Sequence, residues 1–221
     1  MNKMVIIGAG AFAREVFSIV NMLDGGYEVV GFVDPDLSLK GNVIAGRPIL
    51  GNDEELTHLR EQGVSLAFVA IGKASTRESL FSTVADAGID LVNVVHPAAV
   101  VPLQDVSIGK GIIVYPNSTI NTGCRIGNGV LVNSNVSLGH DVDVGDFVNI
   151  NPGANVAGRV KIGKRAFLGI GCNVLENLII GDDAVVGGGA LVRTLVPSKS
   201  TVVGVPAKPI PDPKKHKQRV K

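Results

Sequence analysis

IGNGVLVNSNVSLGHDVDVGDFVNI, Ile126 to Ile150, places an aliphatic residue at every sixth position: Ile126, Val132, Leu138, Val144 and Ile150. Six matches neither the 3.6-residue period of a helix nor the two-residue period of one long strand. Followed outward, the period runs from Ile108 through Val114 and Ile120, and on through Val156, Ile162, Leu168, Val174, Ile180 and Val186 to Val192. All fifteen positions are Ile, Val or Leu, with no slip of register. The next residue is often Gly or Asn. The fourth after each aliphatic is Ala, Cys, Ser, Val, Leu or Ile, and never a charge. Self-similarity at a fixed short period marks a solenoid, whose coils pack on their neighbours. Glycine is abundant, 28 of 221 residues, and aromatics are only 4%, a composition suited to stacked backbone rather than an aromatic core.

Upstream of the repeat the period changes. Residues 1–92 alternate strand and helix signals, which predicts a parallel α/β sheet covered by helices. The strands are MVIIGAG (Met4–Gly10), YEVVGFVDPD (Tyr27–Asp36), SLAFVAIG (Ser65–Gly72) and LVNVVHP (Leu91–Pro97). The first helix carries Phe12, Val16, Ile19, Val20 and Leu23 at helical spacing. The second, Asp53–Gly63, has Gly63 as its C-cap, and the third, Ser75–Gly88, has Ser75 as its N-cap. Two domains follow, 1–92 and 93–221, with His96-Pro97 at the junction.

A formal charge of +1 supplies no field to recruit nucleic acid. No apolar run approaches membrane-spanning length, and the start lacks the features of a secretory signal. Two cysteines, Cys124 and Cys172, fit a reducing, cytoplasmic setting, and both fall at the small inward position of the repeat. The basic Lys214–Lys221 reads as a solvated tail.

Units such as IGNGVL, VGDFVN, IGKRAF and IGDDAV resemble the hexapeptide repeat of left-handed parallel β-helix acyltransferases. The resemblance implies three hexads per triangular coil of 18 residues, and hence five coils and a prism about 24 Å tall. Left-handed winding is also implied by it, against the usual right-handed crossover.

His140 is the array's only histidine. With an 18-residue coil, Gly158 lies one coil along at the same corner. An imidazole beside a free amide donor suits acyl transfer: one group accepts a proton and the other stabilises the oxyanion. Asp141 orients His140 or favours its charged form. Asp143 and Asp146 read as turn residues. Asn133 shares its hexad position with Asn121 and Asn151 and is either an inward ladder residue or an active-site polar group.

Over nearly its full length the chain resembles the sialic acid O-acetyltransferase and bacillosamine-pathway nucleotide-sugar N-acetyltransferase family. The landmarks are MVIIGAGAFAREV, the AIG…TR segment, the HP junction, FLGIGCNV, GGGALV and VVGVPAKPI. The resemblance implies His140 as general base, Asp141 as its acidic neighbour, Asn133 as a supporting polar group and the Gly158 amide as a thioester contact. Acetyl-CoA, the co-substrate, would lie along Gly169, Ile170, Gly187 and Gly188, with Gly204–Lys208 closing over it and Lys208 near phosphate. Many relatives carry a second histidine where this chain has Asn149. Relatives pack as homotrimers, with active sites between subunits and a nucleotide-binding domain approaching each.

GAGAFA, Gly8–Ala13, follows a strand and opens a helix, as a degenerate dinucleotide fingerprint does, with Asp34 ending the second strand. A domain of about 92 residues is half a full dinucleotide fold. The resemblance instead implies the nucleotide of a nucleotide-sugar: Gly8, Gly10 and the helix N-terminus toward phosphates, Asp34 and Asp36 near base or ribose, Lys73 and Arg77 neutralising phosphate. A packing turn alone would also use these glycines.

The expected function is N-acetylation of a nucleotide-linked 4-amino-4,6-dideoxy sugar, UDP-linked first and GDP-perosamine-like next, without metal. O-acetylation of sialic acid is the alternative. A zinc hydratase needs three histidines where the array has one. A nucleotidyltransferase needs a basic Gly-rich signature that GAGAFARE lacks. A bare scaffold would use neither His140 nor the Gly204–Lys208 segment.

Overall fold

The computed structural model describes residues 2–24, 26–102 and 104–211. The basic segment Lys214–Lys221 lies outside the described residues. The chain divides into two compact units: residues up to Pro97 together with Lys110–Ile113, and Ala98–Gly109 together with the residues from Val114 onward.

The first unit is a six-stranded sheet. Its strands are β1 (Asn2–Ile7), β2 (Tyr27–Val33), β3 (Val43–Ile44), β4 (Arg47–Gly51), β5 (Leu66–Val69) and β6 (Asp90–Leu91), in the order β3-β4-β2-β1-β5-β6. Every pairing is parallel except β3 with β4. The central strand β1 is covered on both faces, which is why it reads as a continuous apolar run: Met4, Val5, Ile6 and Ile7 are all buried. One face packs Val5, Ile7 and Val33 against Leu56, Leu59 and Val84, from α2 (Leu56–Glu61) and α3 (Ala74–Asp86). Toward the other face α1 (Ala11–Val20) buries Ala13, Val16, Ile19 and Val20, and Phe12 and Phe17 meet Phe68 and Phe32.

Three local expectations are corrected. The second helix opens as a 3-10 turn, Asp53–Glu55, before α2 begins. Gly63, past its end, has φ +88°, as a C-terminal glycine should. Helix α3 is capped at Lys73 with no side-chain bond, so Ser75 lies inside its first turn. LVNVVHP is not one strand. Asp90–Leu91 stays with β5, while Val94 donates its N–H to Ile112, which returns to this unit. The β3–β4 hairpin, around the left-handed Ala45-Gly46 turn, adds an edge that periodicity missed because each run is too short to show it.

The second unit is a left-handed parallel β-helix of three faces. Fifteen two-residue strands run from Ser107–Ile108 to Leu191–Val192, and each ends on a hexad aliphatic. Pairing is in register at eighteen residues. Val132, Ile150, Leu168 and Val186 stack on one face, Ile120, Leu138, Val156, Val174 and Val192 on a second, and Ile108, Ile126, Val144, Ile162 and Ile180 on a third. The corners have a rule of their own. The third residue after each aliphatic from Ile108 to Val186 takes positive φ, from Gly111 through Asn117, Asp141 and Arg159 to Gly189. Left-handed corner residues turn the chain at each hexad. The fourth residue, Cys124, Val130, Ala154 or Cys172 for example, fills the interior.

Rungs link the coils. Asn121 and Asn151 donate side-chain amides to the carbonyls of Leu138 and Leu168, at 2.7 and 2.8 Å. On the outside, Arg125 pairs with Asp143 and Arg165 with Asp183, each eighteen residues on. The exposed Arg125–Asp143 pair holds little free energy, and the stack rests on its apolar interior. Ile150 is fully buried at mid-prism. Ile150→Ala should cost about 2–5 kcal/mol, read from urea unfolding followed by far-UV circular dichroism. A loss under about 1 kcal/mol would contradict the interior assigned here. Among the described residues no helix is long and apolar enough to cross a membrane.

Candidate active site

The strand Ser137–Leu138 delivers the chain to a corner made of Gly139, His140 and Asp141. Asp141 is the left-handed residue, φ +57°. Its N–H donates to Thr122 in the preceding coil, and the His140 carbonyl accepts from Arg159 in the following one. The turn is therefore held from both sides, and its two side chains are left half exposed.

His140 Nδ1 lies 2.7 Å from Asp141 Oδ2. A carboxylate only accepts, so in the neutral ring this bond holds the proton on Nδ1 and leaves the lone pair on Nε2. Nε2 lies directly over Gly158: a Cβ built on that glycine would sit 2.6 Å from it. Gly139 is equally constrained, since a Cβ there would be 2.6 Å from the Gly158 nitrogen. Two glycines one coil apart thus let backbone approach backbone and ring approach backbone. Among the described residues the Gly158 N–H makes no hydrogen bond. A lone-pair nitrogen, an orienting acid and an unused amide share one corner.

Beneath the turn, the Cys124 thiol donates to the Gly139 carbonyl at 3.1 Å. Burial raises the Cys124 thiol and pushes Cys172 up to about 11. Neither supplies a thiolate nucleophile near neutral pH.

The other prism residues fall elsewhere. Asn133 is at the corner between the first and second faces, whereas His140 is at the corner between the second and third. Its side chain forms no rung of the kind made by Asn121 and Asn151, although its carbonyl accepts from the buried Ser118 hydroxyl at 2.6 Å. Along Asn133's own edge, Gly169 packs on Gly187 and Gly188, with a Cβ position 2.6 Å from the Gly188 nitrogen. Ile170, between them, is 66% exposed. Val203 touches Gly187, and Lys208 pairs with Val203 across the antiparallel strands Thr201–Val203 and Lys208–Ile210. Leu191 clasps the intervening loop through Gly204 and Ala207. Asn149 sits in a strand, its N–H bonded to Ala166.

In the first unit the glycine loop serves the backbone first. Gly8 has φ +114°, and a Cβ there would press on the Ala70 carbonyl at 2.8 Å. At Gly10, the N-cap of α1, a Cβ would meet nothing within 4 Å. Asp34 ties the loop down: its Oδ2 accepts from Ala9 N–H at 2.7 Å and its Oδ1 from Asp36 N–H at 3.0 Å. The Asp36 carboxylate is taken by the Ser38 N–H and hydroxyl, which hold it below its ordinary value. Asp36 thereby caps the 3-10 turn Leu37–Leu39. The expectation for Arg77 changes. Arg77 is fully buried, donates to the carbonyls of Ile71 and Gly72 at 2.6 and 3.0 Å, and is pushed down to about 10 by burial. It braces the loop after β5 rather than meeting a phosphate. Lys73 stays exposed at the start of α3.

A cavity of about 110 Å³ opens where β1, β2 and β5 end, lined by Ile7, Val33, Asp34, Asp53, Ile71 and Thr76 among others. That is where open parallel sheets bind ligands. Sequence reading found Asp34 but passed over Asp53, which looked like one acid among several at a helix start.

The N-terminal residues 3–84 match the model of the PglD N-terminal domain, and residues 159–194 match that of the bacterial transferase hexapeptide (six repeats). Among curated protein sequences there is no significant match. The fold is shared with a crystallised perosamine N-acetyltransferase from Caulobacter crescentus, a histidine-to-asparagine mutant in complex with CoA and GDP-perosamine. The two chains are 35% identical over 96% of this chain and 98% of that one, with a TM-score of 0.90. The acetyltransferase domain of PglB from Neisseria gonorrhoeae, in complex with acetyl coenzyme A, is 30% identical over 95% and 100% of the two chains, with a TM-score of 0.86. WeeI from Acinetobacter baumannii is 26% identical over 95% and 100%, with a TM-score of 0.79.

Proposed function

Since the chain belongs to the family of acetyl-CoA-dependent sugar N-acetyltransferases that join a PglD-type N-terminal domain to a hexapeptide-repeat prism, we propose that it acetylates the amine of a nucleotide-linked 4-amino-4,6-dideoxy sugar, with His140 as general base. The observation that carries the assignment is His140 Nε2 poised over Gly158 while Nδ1 is held by Asp141. The sugar amine attacks the thioester carbonyl carbon, forming the C–N bond. The charge that gathers on the carbonyl oxygen is met by the Gly158 N–H. Nε2 accepts the amine proton, the C–S bond breaks, and the proton passes to the departing sulfur. The products are an amide and the CoA thiol, with no acyl-enzyme.

Two edges of one prism cannot face each other. His140 and Gly158 occupy one edge, and Asn133, Gly169, Ile170 and Gly188 another. A site that uses both sets takes them from adjacent copies, as a homotrimer of prisms supplies. The exposed apolar side chains Phe167, Ile170, Leu175 and Ile179 favour such packing. The acetyl-CoA edge then runs along Gly169, Ile170, Gly187 and Gly188, with Lys208 beside Val203 toward its phosphates. The first unit binds the nucleotide, with Lys73 as its cation. A cytoplasmic setting fits the demand for acetyl-CoA.

The test is continuous thiol release from acetyl-CoA against UDP-, GDP- and dTDP-linked 4-amino sugars and free sialic acid. Turnover on a nucleotide amino sugar is expected. Turnover on sialic acid alone would overturn N-transfer and leave the first unit without its ligand.

A further inference from the structure

We propose that Asp53 selects the base of the nucleotide, and that the base is guanine. The inference rests on the reading of the first unit as a nucleotide site. The cavity at the strand ends is walled by the apolar side chains of Ile7, Val33, Ile71 and Leu80, which suits the faces of a flat ring. Its polar residues are Asp34, Asp53 and Thr76. Asp34 already serves two backbone amides, Ala9 and Asp36. Asp53 serves none: among the described residues its carboxylate makes no hydrogen bond or ion pair. Its place is nonetheless fixed. It opens the 3-10 turn Asp53–Glu55, the next residue, Leu56, is buried in the core, and Glu55 is tied to Lys40 at 2.7 Å.

A carboxylate only accepts hydrogen bonds. Guanine presents two N–H donors side by side, at N1 and the exocyclic N2, matching the two oxygens of one carboxylate. Uracil and thymine present a single N–H flanked by two carbonyl oxygens, which an acid repels. Adenine and cytosine set one donor beside a ring acceptor. An unpartnered acid in a slot with no basic lining residue therefore favours guanine and penalises uracil. Discrimination through a paired polar group is steep, because the wrong base leaves the acid desolvated and unpaired.

The experiment is calorimetric binding of GDP, inosine diphosphate and UDP to the full chain and to Asp53→Asn. Inosine diphosphate differs from GDP only in lacking the N2 amine. For the unaltered chain, GDP should bind about tenfold or more tightly than inosine diphosphate, and more tightly still than UDP. In Asp53→Asn the GDP advantage over both should collapse to within about threefold, with acetyl-CoA binding and melting temperature unchanged. Equal binding of GDP and UDP to the unaltered chain overturns the base assignment alone. A parallel weakening of all three nucleotides in the variant overturns the role of Asp53. If none of the three binds while acetyl-CoA does, the nucleotide reading itself fails.

Discussion

His140→Ala should lower kcat by about 10²–10⁴-fold and leave acetyl-CoA binding within about threefold of its original value. The imidazole is half exposed at a corner whose backbone is held through Asp141 N–H and the His140 carbonyl, so removing the ring unloads no core. The melting temperature should therefore stay within about 2 °C. Kinetics and melting separate a chemical role from a structural one. A kcat loss under about fivefold would remove His140 from the mechanism. A large drop in melting temperature would instead make the corner dependent on the ring.

Gly158→Ala should be nearly as damaging through a different route. The new methyl would meet three ring atoms of His140, at 2.6, 2.9 and 3.0 Å. A half-exposed side chain yields more easily than backbone, so the ring swings away and the fold survives. Gly158 is not among the positive-φ residues, so alanine meets no backbone penalty there. We expect kcat to fall about 10²-fold, with displacement of the base as the cause. Gly139→Ala is the contrasting control. Its methyl would press on the Gly158 nitrogen and the Ala157 carbonyl carbon, atoms of the next coil's backbone. That variant should lose stability as well as activity. If Gly158→Ala keeps full activity, Nε2 does not work from the position seen here.

The two glycines show how much of the site was legible beforehand. The hexad register and an 18-residue coil place Gly158 against His140 without coordinates, because a solenoid converts sequence distance into spatial adjacency. The same arithmetic anticipates the Asn121 and Asn151 rungs. It does not separate Asn133 from them, because a rung depends on side-chain direction and not on register. In the first unit no such arithmetic exists. Asp34 was found as the acid ending a strand, but its capture of the Ala9 amide depends on loop conformation. Arg77 and Lys73 looked alike as cations after β5. One is entombed and the other exposed, a difference that helix phase and the β5 loop create together. Asp53 gave no signal, because the hairpin and 3-10 turn that carry it to the cavity are too short to have a period.

By itself the sequence determined a solenoid of fifteen six-residue repeats and the inward fate of both cysteines, and the resemblance to hexapeptide-repeat acyltransferases added the 18-residue coil that partners His140 with Gly158. Each follows from nearest-neighbour stacking at a constant interval, which is local information repeated. Only the tertiary structure decided which polar groups are already satisfied: Asp34 by Ala9, Asp36 by Ser38, Arg77 by the carbonyls of Ile71 and Gly72. Hydrogen bonds are saturable and directional, so a residue's availability for a ligand depends on every donor and acceptor that folding brings to it. That accounting is what leaves Asp53 and the Gly158 amide unspent.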